Sequence, residues 1–265
     1  MSTLTKEAEF FAYIAPKIRE LVLSFRGTAS ISVQKTSDDY ATEVDIAVEN
    51  LIVAEIEKRF PGDLILAEEG HSQTAIPSGR IWIIDPICGT SNIARGITAF
   101  CTNIALADNR VLVASCVVDH SQDDYFWSIG NNTVYINDRV HIPKTKVDGM
   151  GIVIDIDMGS FKNVESNVLD TYTTFIRLLM QHTGYMPAST NSSLGFAYCA
   201  IGKYDGFVNI YNHPWDICAS VFLLQQAGGS VTELTGKPWR IESVGAIGAL
   251  DASVHSRLVK AYGGA

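Results

Sequence analysis

Apolar residues recur at helical spacing near the start of the chain, with Phe10, Ile14, Ile18, Leu21 and Phe25 on one face. The pattern predicts a long opening helix, bent at Pro16. Residues 30–34 alternate weakly, as a short strand does. Val48, Leu51, Ile52 and Ile56 define a second helix, closed by Phe60-Pro61-Gly62. Its start, Thr42-Glu43-Val44-Asp45, carries a box-like cap in which Asp45 reaches back toward Thr42. Two short strands follow. Residues 64–67 run into Glu68-Glu69-Gly70, and the four apolar residues 81–84 end at Asp85.

From residue 103 to 142 the period shortens to two. Segments 111–118, 125–127, 134–136 and 140–142 are divided by Asp108-Asn109, Gly130-Asn131 and Asn137-Asp138, which are hairpin chemistries. An antiparallel meander is expected there, with Asp119-His120 and Asp123-Asp124 as solvated turn residues. After residues 143–149 the order becomes strand (151–156), helix (Leu169, Tyr172, Ile176, Leu179), helix (194–201) and strand (206–210). A helix then opens at Pro214-Trp215-Asp216 and closes at Ala227-Gly228-Gly229. Strands at 230–234 and 246–250 and a helix over 253–262 complete the chain. The fold class is α/β in the mixed, α+β sense: an antiparallel-rich first half and an alternating second half. The boundary predicts domains at 1–143 and 144–265.

Composition narrows the possible partners. In 265 residues, 47% are apolar, 18% are charged and the formal net charge is −9, a globular balance without a basic patch for nucleic acid. No apolar run reaches the ~20 residues of a membrane helix. Residues 1–9 mix Lys6 with Glu7 and Glu9 and have no signal-peptide core. Cys88, Cys101, Cys116, Cys199 and Cys218 are scattered, without a C-x-x-C pair, as in a reduced cytoplasmic chain.

The candidate chemistry centres on Asp85-Pro86-Ile87-Cys88-Gly89-Thr90-Ser91-Asn92. Asp85 stands where a buried strand ends, Pro86 stiffens the exit, and Gly89 permits an unusual backbone angle or a close ligand approach. Thr90 and Ser91 offer hydroxyls and backbone N–H groups suited to an anion. Glu68 ends the preceding strand, so two strand ends can bring hard oxygen ligands into one crevice, a setting for magnesium and a phosphate.

Four ordered blocks then carry a resemblance: Asp38-Asp39-Tyr40-Ala41-Thr42-Glu43-Val44-Asp45, Ala67-Glu68-Glu69, Trp82-Ile83-Ile84-Asp85-Pro86-Ile87-Cys88-Gly89-Thr90 and Pro214-Trp215-Asp216-Ile217-Cys218-Ala219. In order and spacing they resemble the inositol monophosphatase family of magnesium-dependent phosphatases. The resemblance implies a layered αβαβα fold, a homodimer, and hydrolysis of a small sugar or polyol phosphate by a metal-activated water. It puts Glu68, Asp85, the backbone oxygen of Ile87 and Asp216 on metal-ligand positions. Asp45 and Thr90 fall where the family polarises the water, with Glu68 also in the catalytic set. Gly89, Thr90 and Ser91 fall where it holds the phosphate, and Asn209 and Asp216 where it contacts the substrate. Mg2+ is the implied cofactor, with Mn2+ or another divalent ion as the alternative.

Cys88 departs from that pattern. The family has Asp there, as a ligand of a second metal, and a thiol is a soft and mostly neutral substitute. Weakened second-metal binding is the expectation for a Cys88 site. The alternative is a family member that keeps the fold but has become a ligand-binding or regulatory protein. Asn209 replaces a polyol-contacting Glu of inositol-specific members, Asn191-Ser192-Ser193 replaces Gly-Ser/Thr-Ala, and Ile93 replaces a common aromatic. Myo-inositol phosphate is therefore only the default within a wider class of sugar and nucleotide phosphates.

Overall fold

The opening apolar face forms α1 (Thr5–Ser24), which contains Pro16 and buries Phe10, Phe11, Ile14, Ile18 and Val22. The computed structural model describes residues 5–25, 31–34, 40–70, 76, 78–143, 151–156, 166–182 and 184–263. The boundary segment predicted at 143–149 therefore lies, except for residue 143, outside the described residues. Strands β1 (Ile31–Gln34) and β2 (Tyr40–Thr42) pair antiparallel and lead into α2 (Glu43–Arg59). The capping box forms as the sequence predicts, with the Thr42 N–H donating to Asp45 Oδ2 at 2.9 Å.

A seven-stranded sheet follows: β3 (Leu64–Ala67), β4 (Arg80–Cys88), β5 (Cys101–Asp108), β6 (Val111–Asp119), β7 (Asp124–Ser128), β8 (Val134–Ile136) and β9 (Arg139–His141), in that spatial order. The β3–β4 pair is parallel and all later neighbours are antiparallel. The short helix α3 (Thr90–Ala94) springs from the end of β4. Between β5 and β6 the turn is made by Asn109 and Arg110, both at positive φ (49° and 65°), the mirror-image geometry that right-twisted hairpins favour.

The second half supplies β10 (Val153–Ile156), α4 (Ser166–His182), β11 (Met186–Ala188), α5 (Leu194–Ala200), β12 (Gly206–Asn209), α6 (Pro214–Gln226), β13 (Ser230–Thr232), β14 (Ala246–Ala249) and α7 (Ala252–Gly263). Its five strands lie in the order β11-β10-β12-β14-β13.

Three cores define five layers. Helices α1 and α2 pack on the Trp82, Ile84 and Cys116 face of the large sheet. Its other face, with Ile81, Ile83 and Val117, packs on α5 and α6, which also meet Phe207 and Ala246 of the small sheet. Helices α4 and α7 cover the far side through Tyr172, Phe175 and Leu258. This is the αβαβα layering. Helix α6 buries every residue from Ile217 to Leu224, as a helix clamped between two sheets must. Among the described residues no helix is long and apolar enough to cross a membrane.

Two readings of the meander are corrected. Strand β5 begins at Cys101 and buries Thr102 and Asn103, polar residues that hid it as a separate element. Asp119 is fully buried at the end of β6 and His120 is 8% exposed, so neither is a solvated turn residue. The Asp119 carboxylate accepts from Ser121 N–H at 2.8 Å and from the Tyr198 hydroxyl at 2.8 Å, which satisfies it inside the fold.

Candidate active site

Alternation along β4 turns Trp82 and Ile84 toward α1 and α2, and Ile81 and Ile83 toward α5 and α6. Asp85 continues the second series and points into the middle layer. The β4–β5 register then slips by one residue, from Asp85↔Asn103 to Cys88↔Cys101. That bulge brings Cys88 to the same face as Asp85, where strict alternation would have opposed them. The Pro86 carbonyl in the bulge accepts from the Thr102 hydroxyl at 2.7 Å.

Asp216 approaches from the other side, in the first turn of α6, where Pro214 opens the helix and a carboxylate favours its N-terminus. Its Oδ2 accepts the His213 N–H at 2.6 Å, which fixes the side chain. One ligand atom from each of Asp85, Cys88 and Asp216 lies within 4.8 Å of the other two. Asp85 is 1% exposed, and its Oδ1 has no hydrogen-bond partner. Burial, with Cys88, Glu68 and Asp216 adding, pushes its carboxyl well above the usual carboxylate range. The adjoining Cys101 thiol, with burial, pushes the Cys88 thiol up.

Beside this trio, the Thr90 hydroxyl donates to Asp45 Oδ1 at 3.0 Å and shares its proton with the Ile87 carbonyl at 3.1 Å. Asp45 is fully buried, and burial raises its pKa even though the Thr42 and Thr90 hydrogen bonds pull the other way. Gly89 caps α3 at φ 105°, and a Cβ there would lie 2.9 Å from Ser192 Cβ and 3.1 Å from Phe100 Cβ. Only glycine fits that bend.

Glu68 is half-buried and lies outside the close trio, although its charge reaches Asp85. The turn that carries it is held by Glu49 in α2, whose carboxylate accepts the Glu69 and Gly70 N–H groups at 2.8 and 2.7 Å. A cavity of about 170 Å³ opens at Cys88 and Asp216, lined among others by Gly89, Ser192, Asn209 and Tyr211. Thr90, Ser91, Glu68 and Asp85 do not line it. The Ser91 carbonyl accepts from Arg95.

Sequence reasoning missed the residues that frame the trio. Asn103 donates to Ser193 Oγ at 2.7 Å and to the Asp216 carbonyl at 3.4 Å, while the Ser193 N–H points at Cys88 Sγ, 3.1 Å away. The available signal was a polar Asn inside an otherwise apolar strand. Glu49 was equally hidden, because a Glu on a helix reads as solvated.

The profile of the inositol monophosphatase family matches residues 1–263. A relative from Pseudomonas aeruginosa named Nus factor SuhB is 31% identical over 223 residues, covering 81% of each chain. An inositol-1-monophosphatase of Mesorhizobium japonicum is 27% identical and covers 92% of this chain and 90% of its own. Among solved structures, an IMPase of Thermotoga maritima superposes with a TM-score of 0.83 at 27% identity, covering 98% of this chain and 97% of its own.

Proposed function

The chain belongs to the inositol monophosphatase family, and from that premise we propose that it is a divalent-cation-dependent phosphomonoesterase acting on a small sugar or polyol phosphate. The observation that carries this reading is the buried Asp85 carboxylate, with its Oδ1 unpartnered, gathered with Cys88 and Asp216 within 4.8 Å. A buried carboxylate is costly unless something positive completes it. A cation fits there: Asp85 and Asp216 offer the hard oxygens that magnesium or manganese takes, and in this reading the Ile87 carbonyl and Glu68 supply further oxygens. When bound, such an ion lowers the pKa of water and offsets charge on the phosphate and the leaving oxygen.

The chain's own residues supply positioning and proton transfer. The Thr90 hydroxyl has given its single proton to Asp45 and Ile87, so its lone pairs are left to accept one from a water. Asp45, with its raised pKa, is the better sink for that proton. Gly89, Thr90 and Ser91 hold the phosphate at the start of α3, and Asn209, beside Asp216 in the cavity wall, meets the alcohol portion. In this reading residues 1–143 supply most cation ligands and 144–265 supply Asp216 and substrate contacts. The protein acts as a cytoplasmic homodimer, with no nucleic-acid or membrane partner. The test is inorganic phosphate release from a panel of inositol, fructose and nucleotide phosphates with and without divalent ions. Cation-dependent release that disappears in Asp85→Asn supports the reading, and no release from any ester with any ion rejects it.

One observation favours a second reading. Cys88 removes a carboxylate from the centre of the site, and the 31% identical P. aeruginosa relative carries the name Nus factor. In this alternative the protein binds a ligand or a protein partner without turnover. Hydrolysis gained only in Cys88→Asp would then be the result; equal rates in the two proteins would reject it.

A further inference from the structure

We propose that Asp85, Cys88 and Asp216 form a seat for a thiophilic divalent cation of the zinc type, in preference to magnesium; the inference rests on the cation-dependent reading above and names its ion. The donor set is two carboxylates and one sulfur within 4.8 Å of one another. Magnesium demands an oxygen shell of near-octahedral geometry, which a sulfur cannot enter without cost. Zinc accepts sulfur and oxygen together, and three protein ligands with one open position is its arrangement in catalytic sites. Bond lengths of ~2.0–2.3 Å place tetrahedral ligands roughly 3.5 Å apart, so small side-chain rotations close this trio around an ion.

The surroundings hold the sulfur in place. The Ser193 N–H lies 3.1 Å from Cys88 Sγ, and Ser193 is itself held by Asn103. Hydrogen bonds from behind a ligand orient it and tune its affinity for a metal. The Asp85 Oδ1 that lacks a partner adds a demand for positive charge on the same carboxylate. When the sulfur–metal bond forms, the thiol proton leaves to solvent and the ion gains one negative ligand, restoring the charge that the absent carboxylate would have given. Cys101, the cross-strand neighbour of Cys88, lies outside the donor trio and serves as a control.

Cobalt(II) is the probe, because a cobalt–thiolate bond absorbs in the near ultraviolet whether or not the protein turns over substrate. Native protein titrated with Co2+ gains this charge-transfer band, zinc displaces it at stoichiometric concentration, and millimolar magnesium does not. Cys101→Ser keeps the band, whereas Cys88→Ser and Cys88→Asp lose it. Cys88→Asp also weakens zinc by more than the ~10–100-fold that loss of a hydrogen-bond partner behind a ligand costs, and gains magnesium affinity. A native protein without the band, one whose band survives in Cys88→Ser, or one that binds magnesium more tightly than zinc overturns the proposal. Magnesium-driven hydrolysis without the band would leave the phosphatase reading standing and sink this one. The band with no hydrolysis under any ion would do the reverse.

Discussion

The two ends of β4 deal with buried charge in opposite ways. At its start, Arg80 donates to Glu7 at 2.8 Å and to Asp63 at 3.1 Å, and the Trp82 indole N–H donates to Asp63 at 2.9 Å. Every group in that cluster has a partner, and the result braces α1 and the β3–β4 edge around the Trp82 core. Toward the other end, five residues along, Asp85 is more deeply buried and leaves one oxygen without a partner, with further acids close by. One cluster is complete without a ligand. The other leaves an acid unpartnered among acids, the feature on which the proposed cation seat rests. That contrast, on one strand, sets a satisfied charge network against the proposed binding site.

Asp85→Asn should break the contrast most sharply. Hydrolysis falls by about three orders of magnitude, on the order of 4 kcal/mol of barrier, because a cation ligand is lost. Stability of the ion-free protein moves the other way. The folded-state pKa of Asp85 is raised, so the penalty for its ionised form is fully present above that pKa and fades as pH falls toward the unfolded value. Asp85→Asn should therefore raise the thermal midpoint at neutral pH in chelator, with the gain vanishing in acid; a lowered neutral midpoint would contradict this.

Thr90→Ala comes next. It removes the hydroxyl between a water and Asp45 and should reduce kcat by about 10²-fold with KM little changed, as loss of a proton-transfer group does. In native protein the acid limb of the rate profile should have its midpoint above 3.8, the ordinary value of an Asp carboxyl, since burial raises Asp45. Steady-state kinetics across pH reads both.

Arg80→Met sharpens the comparison from the other end. It strands Glu7 and Asp63 and should cost about 1–3 kcal/mol in denaturant unfolding, below the ~3–5 of a fully buried pair because the Arg80 side chain is 30% exposed. Its kcat should stay native. The smallest effect is expected at Glu49→Gln, which keeps one acceptor for two N–H groups. It should cost about 1 kcal/mol and weaken cation binding through the Glu68 turn.

The sequence made the layers legible because their helices are amphipathic and the hairpins carry Asn and Gly at positive φ. It concealed β5, whose Thr102 and Asn103 look like loop residues until register sets them against the β4 bulge. The Asp119 pair was misread for the same reason: an Asp beside a His looks solvated, and only packing against Tyr198 makes it internal. At the site, Asp85 and Asp216 were legible through their motifs and the family resemblance. The one-residue slip that puts Cys88 beside Asp85 depends on strand pairing. So does the frame of Asn103 and Ser193, of which the polar Asn103 beside an apolar run was the one local trace.

The most direct test of the central claim is a calorimetric titration of divalent ion into native, Asp85→Asn and Arg80→Met proteins. Binding in native and Arg80→Met, with its loss in Asp85→Asn, is the predicted result. Native-like binding in Asp85→Asn would contradict the assignment of the unfinished end of β4 as the cation seat.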